Sequence, residues 1–229
     1  MNDYMIYYGL TFLAFILTFG AQLYIKAVYA KYSKIRNRNG ISGARTANEI
    51  LYRNDLQNIN VHEVHGYLSD HYDPRNLSIA LSKDIYESPS IAAMAVAAHE
   101  CGHALQDKES YALLKVRESL IPVVSISSYM GYFAIMIGVF LDMMNVIWLG
   151  ILLEGIILLF QLLTLPIEFD ASSRALRKIR EYGLCDEEEL AGARTVLTAA
   201  ALTYVAGVAA SLLQILRLIL VYGRRNRRD

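Results

Sequence analysis

Three long apolar runs constrain this chain more than any other feature. Tyr4–Tyr29, Leu120–Leu141 and Val146–Leu165 are each long enough to cross ~30 Å of hydrocarbon as a helix. Lipid offers no hydrogen-bonding partner to the backbone, so such runs must satisfy their polar groups internally and therefore be helical. The composition agrees: with 55% hydrophobic residues and only 4 prolines in 229, the chain is too apolar for an ordinary soluble domain. The last two runs, residues 120–165, are joined by Asp142-Met143-Met144-Asn145 and read as a transmembrane hairpin. The lipid bilayer is thus the first expected partner.

Formal net charge is zero, 22 basic against 22 acidic residues, so nucleic acid is not implied. The charges are nevertheless segregated. Only Asp3 precedes the first span at 4–29, whereas Lys26, Lys31, Lys34, Arg36 and Arg38 lie at its end or follow it. A cleaved signal peptide would carry its positive charge in front. Lys115, Arg117, Arg174, Arg177, Lys178 and Arg180 likewise flank the base of the hairpin, while its tip is acidic. The positive-inside rule then places the N-terminus outside, and the region 37–117 and the helix at 166–183 on the cytoplasmic face of a cell-membrane protein. A final stretch, 186–222, opens with Asp186 and Glu189 at the spacing of a capping box and continues into an apolar run that Arg217 interrupts. It reads as a fourth span or a re-entrant helix. A broken or re-entrant helix is preferred, because a fourth crossing would put Arg224, Arg225, Arg227 and Arg228 outside.

The chemistry is concentrated in Ile91–Gln106, IAAMAVAAHECGHALQ. His99-Glu100-Cys101-Gly102-His103 is H-E-x-x-H, which on a helix projects both histidines from one face, close enough to share a metal ion. Zinc held by two imidazoles acidifies a water toward pKa ~7, and Glu100, next to the first ligand, can take the proton. A solvent-facing helix with two incidental histidines is the bland alternative. Against it stands the run Ala92, Ala93, Ala95, Ala97 and Ala98, which suits a helix packed closely on several sides. Ser88-Pro89-Ser90 supplies a start signal for that helix. Cys101 is turned about 160° away from either histidine and is not a ligand candidate; it and Cys185 have no zinc-knot or disulfide spacing.

Upstream, Asn37–Gly43 reads as a flexible, turn-rich link and Ala44–Leu56 as a short amphipathic helix. Ile59–His65 and Leu77–Leu81 read as strands, giving a small β-hairpin or sheet edge beside the motif helix. The stretch Asn76, Leu77, Ser78, Ile79, Ala80, Leu81, Ser82 and Lys83 is the expected edge that holds a peptide substrate by main-chain hydrogen bonds. His62, His65 and His71 are more often structural than ligating; His71, in polar company, remains in play. Glu154, inside the third run, is costly in lipid and is expected to face protein or water.

A third ligand is expected just after the hairpin, in Leu165–Ser172, where Glu168 and Asp170 both lie. Dipole compensation at a helix N-terminus could also explain acidic residues there, but Glu168 lies where the hairpin returns to the membrane face from which the motif helix leads into the second span. Taken together, HECGHALQ, the upstream GYLSDHYDP, and the downstream LPIEFDASSRAL and LTAAALTYVA resemble the YugP-type membrane zinc metallopeptidases over nearly the whole chain. That family is similar in plan to HtpX-like and CAAX prenyl proteases, gluzincins whose third ligand is the glutamate of E-x-x-x-D. The resemblance implies a mainly α integral membrane protein with a gluzincin-like core and three to four transmembrane helices. It implies one zinc per chain on His99, His103 and Glu168, with Glu100 as catalytic base. At Ser172 this chain departs from the HtpX-like pattern, whose aspartate orients a ligand histidine; Asp170 is a substitute. Tyr204, Arg174 and His71 are candidates to steady the oxyanion.

These readings give a membrane-embedded zinc endopeptidase acting on membrane or membrane-proximal proteins. The alternative is a non-catalytic membrane binding or quality-control scaffold, which has no need of Glu100. A site-2-type intramembrane protease would bury the motif in a long apolar span, but only Ile91–Ala98 is continuously apolar before His99, too short to cross.

Overall fold

The computed structural model describes residues 3–66 and 69–223. In chain order these form α1 (Asp3–Tyr32), α2 (Gly43–Tyr52), β1 (Asn60–Val64), β2 (His71–Asp73), β3 (Ser78–Ser82), α3 (Lys83–Tyr86), α4 (Ile91–Lys108), α5 (Ala112–Phe140), α6 (Met144–Glu181) and α7 (Glu187–Tyr222). The chain divides into two compact units: Met1–Gln22, Val116–Leu165 and Leu202–Asp229 make one, and Leu23–Lys115 with Pro166–Ala201 make the other. The helices α1, α5, α6 and α7 each pass from one unit into the other without a break.

The first unit carries the apolar surface. Helices α1, α5, α6 and α7 are all long and apolar enough to cross a membrane, and in none of them is more than 17% of the most apolar window buried within the protein. Exposed apolar surface on that scale needs lipid or a partner to cover it. The α5–α6 hairpin is drawn together at small residues: a Cβ on Gly150 would meet the Ile135 side chain at 2.5 Å and the carbonyl of Gly131 at 3.0 Å. Arg217 is accommodated within this unit, donating from Nη1 to Thr11 Oγ1 at 2.9 Å with its guanidinium 4.8 Å from the centre of the Tyr7 ring. Glu154 is half-buried.

Two expectations for the long helices are corrected. The stretch 166–183 is not a separate helix but the end of α6, which runs through Pro166. An interior proline forfeits one backbone hydrogen bond, at a cost of about 3 kcal/mol. Four fully or almost fully buried residues one turn apart, Ile167, Ala171, Ala175 and Ile179, supply packing that offsets it. The C-terminal segment is likewise one continuous helix of 36 residues rather than a broken one. It begins with the anticipated box, Glu189 N donating to Asp186 Oδ1 at 2.9 Å and Asp186 N to Glu189 Oε2 at 3.1 Å. Arg224, Arg225, Arg227 and Arg228, on which the re-entrant reading turned, lie outside the described residues.

The second unit has one hydrophobic core, built around α4. Ser90 caps this helix, its Oγ accepting from Ala93 N at 3.1 Å, and the alanines between 92 and 98 are all buried. The link before α2 is held in place rather than free. Asn37 is 1% exposed; its side chain donates to Ile41 O at 2.7 Å and accepts from Ile41 N at 3.0 Å, and its own N–H donates to Pro89 O. The sheet also differs from expectation. Its order is β1-β3-β2, with β1 parallel to β3 and β2 antiparallel to it. The hairpin is therefore β2–β3. Strand β3 is central and fully buried, so Ser78–Ser82 has both edges occupied and is no substrate edge; the carbonyl of Leu77 is taken by Asn60 N. The strand β2 was missed because three residues are too few to show alternation.

One contact sets the separation of α4 and α6. A Cβ built on Gly102 would lie 2.4 Å from the carbonyl oxygen of Ala171. The obstacle is backbone, which cannot rotate aside. Gly102→Ala should therefore lower stability by about 1–3 kcal/mol despite the helix propensity of alanine. Gly155→Ala, where nothing lies within 4 Å, should be neutral or stabilising. Thermal unfolding in detergent checks both, and equal midpoints for the two variants would refute the contact's importance.

Candidate metal centre

The two turns of α4 that carry the motif place His99 and His103 side by side, ring centres 4.8 Å apart and nearly perpendicular. The close approach at Gly102 brings α6 across this face. Glu168, 69 residues beyond His99, is 3% exposed and sets Oε2 at 3.3 Å from His99 Nε2 and 3.7 Å from His103 Nε2. One ligating atom from each of the three lies within 4.8 Å of the other two. Two imidazole nitrogens and a carboxylate oxygen are a donor set that suits zinc with a coordination position left over, so the residues present fit that ion.

Each imidazole is gripped from behind. His99 Nδ1 meets Ser172 Oγ at 3.2 Å, at the position where the HtpX-like pattern has aspartate. His103 Nδ1 meets Gln106 Oε1 at 3.0 Å. Gln106 is fully buried and donates from Nε2 to Ile167 O at 2.9 Å and to Asp170 Oδ2 at 2.8 Å. Asp170 thus reaches a histidine through one intervening amide rather than directly. Arg174 donates to Asp170 and, at 2.6 Å, to Glu109 Oε2. With its guanidinium engaged by two carboxylates, Arg174 braces Asp170 and is not aimed at a reacting group.

Glu100 is 7% exposed. Burial pushes its carboxyl above the usual range, and the nearby His99 and His103 only partly oppose this. For His103 burial works against the charged ring, but its contact with Glu168 and the charge of Glu100 outweigh that and raise its pKa. Asp70 also bears on the site. Burial raises its pKa, although its carboxylate accepts from Ser82 N at 2.7 Å and from Ser82 Oγ. Its charge in turn contributes to the upward shift of Glu100.

The remaining candidates are dispersed. His71, on β2, is exposed and donates from Nδ1 to Ser69 O at 2.8 Å. Tyr204 belongs to the first unit, not to the one that holds the cluster. His65 is exposed, and His62 has a buried, unpartnered Nδ1 on β1. Cys101 is fully buried with its thiol against Ala47 O, and burial drives its pKa far up, so it is inert as a ligand. Gln106, Gly102 and Glu109 were missed in the sequence. The signal for Gln106 was present: three residues after His103 on a helix, it lies on the same face.

Residues 7–223 match the family model described as "Putative neutral zinc metallopeptidase". The chain is 43% identical over 218 residues, covering 95% of this chain and 97% of the relative, to "Putative membrane protease YugP" of Bacillus subtilis (strain 168). No solved structure matches the chain. A family match that spans both units, supported by a relative aligned from end to end, means that this chain belongs to that family of neutral zinc metallopeptidases.

Proposed function

We propose that this protein is a membrane-embedded, zinc-dependent endopeptidase of gluzincin type that hydrolyses peptide bonds in membrane or membrane-proximal proteins. The observation that carries this reading is the convergence of His99, His103 and Glu168, from helices distant in sequence, beside a buried Glu100. His99, His103 and Glu168 would hold one zinc ion. When bound, zinc supplies Lewis acidity at the scissile carbonyl and the attacking water.

Glu100 supplies the proton traffic. Its carboxylate takes a proton from the attacking water as the C–O bond forms, and returns it to the nitrogen as the C–N bond breaks. A carboxyl whose pKa is raised by burial is a better base than an exposed one, which suits this role. The substrate backbone would lie along β2, an edge strand, rather than along the central β3. Tyr72 anchors β2 to the motif helix, donating to Asp107 Oδ2 at 2.8 Å.

The long apolar helices and the relative's printed name, a membrane protease, support a place in the cell membrane. The cluster of Lys31, Lys34, Arg36, Arg38, Arg174, Arg177, Lys178 and Arg180 in the second unit supports a cytoplasmic site.

Purified protein should contain one zinc per chain. Metal analysis of His99→Ala, His103→Ala and Glu168→Ala should show its loss, and full retention by Glu168→Ala would remove that residue from the ligand set. Glu100→Gln should keep fold and zinc while cleavage of a reconstituted membrane substrate falls roughly 10²–10⁴-fold. Equal cleavage by wild type and Glu100→Gln would exclude this mechanism, and a zinc-loaded wild type that cleaves nothing would favour a scaffold. For orientation, a cysteine at Ser42 in a chain lacking Cys101 and Cys185 should resist an impermeant thiol reagent in intact cells and react after permeabilisation. Ready labelling from outside would invert the topology.

A further inference from the structure

We propose that Gln106 is a positioning residue that selects the tautomer of His103 and so presents its Nε2 lone pair to the metal. The inference rests on the zinc-ligand reading above and adds a residue to it. Its basis is the set of partners around one buried amide. Gln106 Nε2 has two hydrogens, and two neighbours on α6 accept them: the carbonyl of Ile167 at 2.9 Å and the carboxylate of Asp170 at 2.8 Å. Neither neighbour can donate at that point. Turning the amide over would set its oxygen against two acceptors and cost the amide both hydrogen bonds to α6, with Gln106 itself fully buried. The orientation of the amide is therefore dictated by α6.

With Nε2 so committed, Oε1 faces His103 Nδ1 at 3.0 Å. An amide oxygen only accepts, so Nδ1 must carry the proton and Nε2 must hold the lone pair. Without Gln106 the preference would reverse. Apart from Gln106, the acceptor set against the ring is Glu168 Oε2, 3.7 Å from Nε2, which draws the proton to the nitrogen meant for the metal. Asp170 is pinned in turn by Arg174, itself held by Glu109. His99 has no such selector. Its partner is Ser172 Oγ at 3.2 Å, a hydroxyl that can donate or accept and so follows the ring rather than dictating to it.

The test uses the full chain in detergent with Gln106→Met, which keeps the length of the side chain and removes every hydrogen bond of the amide. The first readout is the ¹⁵N NMR signature of His103 in zinc-free protein at alkaline pH, where the ring is neutral. Wild type should show the Nδ1–H form, and Gln106→Met should shift toward Nε2–H. The second is zinc affinity by chelator competition, which should fall about 10- to 100-fold in Gln106→Met. An Nε2–H form in the wild type, or an unchanged tautomer and affinity in Gln106→Met, overturns the proposal. Should Gln106→Met fail to fold, the wild-type tautomer decides by itself. A wild type that binds no zinc would defeat the proposed function, while the zinc-free tautomer still decides the role of Gln106.

Discussion

Everything at the candidate metal centre depends on how closely α4 and α6 can approach. Helix axes usually pass 8–10 Å apart, with side chains filling the gap. Here the second variable position of H-E-x-x-H is glycine, and the carbonyl of Ala171 occupies the space where a side chain would stand. One turn before Ala171 on α6 is Glu168, and next after it is Ser172. The same contact thus delivers a carboxylate to the front of the histidine pair and a hydroxyl to the back of His99. A wider crossing would move both out of reach together. The small residues of α4 have a related role. A helix whose alanines are buried along its whole first half can be enclosed by α2, α3, the sheet and α6 without bulk to push them away.

The site is also a solution to an electrostatic difficulty. Glu100, His103 and Glu168 are all buried, and a buried ionisable group is costly unless its partners are fixed. The structure answers with a chain of oriented groups from His103 through Gln106, Asp170 and Arg174 to Glu109, which ends at a half-exposed carboxylate. Each link has a fixed donor and a fixed acceptor, with Asp170 accepting from both Gln106 and Arg174, and Arg174 donating to both Asp170 and Glu109. Such a chain holds the imidazole rigid and leaves little freedom to its protons. The two histidines are backed unequally, His103 by an amide and His99 by a hydroxyl.

Helix α6 carries much of the candidate site. Glu168, Asp170, Ser172 and Arg174 all stand on it, and it is one continuous helix through Pro166. Ile167, Ala171, Ala175 and Ile179 are buried, and the last two join the hydrophobic core of the second unit.

Much of this was legible in the sequence, because it depends on local rules. The apolar runs, the motif helix with its Ser90 cap and the Asp186–Glu189 box follow from length, periodicity and capping chemistry, which neighbours along the chain decide. The family resemblance added Glu168, which spacing alone could not separate from Asp170. Tertiary structure decided the rest. That Leu77–Leu81 becomes a central strand, with β1 parallel beside it, follows from which segments meet in space, and a short buried strand looks the same in sequence at a centre or at an edge. The separate helix expected at 166–183 is instead the end of α6, because packing outweighs the local penalty of Pro166. The roles of Ser172 and Gln106 were hidden for a related reason. A hydroxyl or an amide acquires a direction only when its partners are in place, and those partners lie 73 and 61–64 residues away.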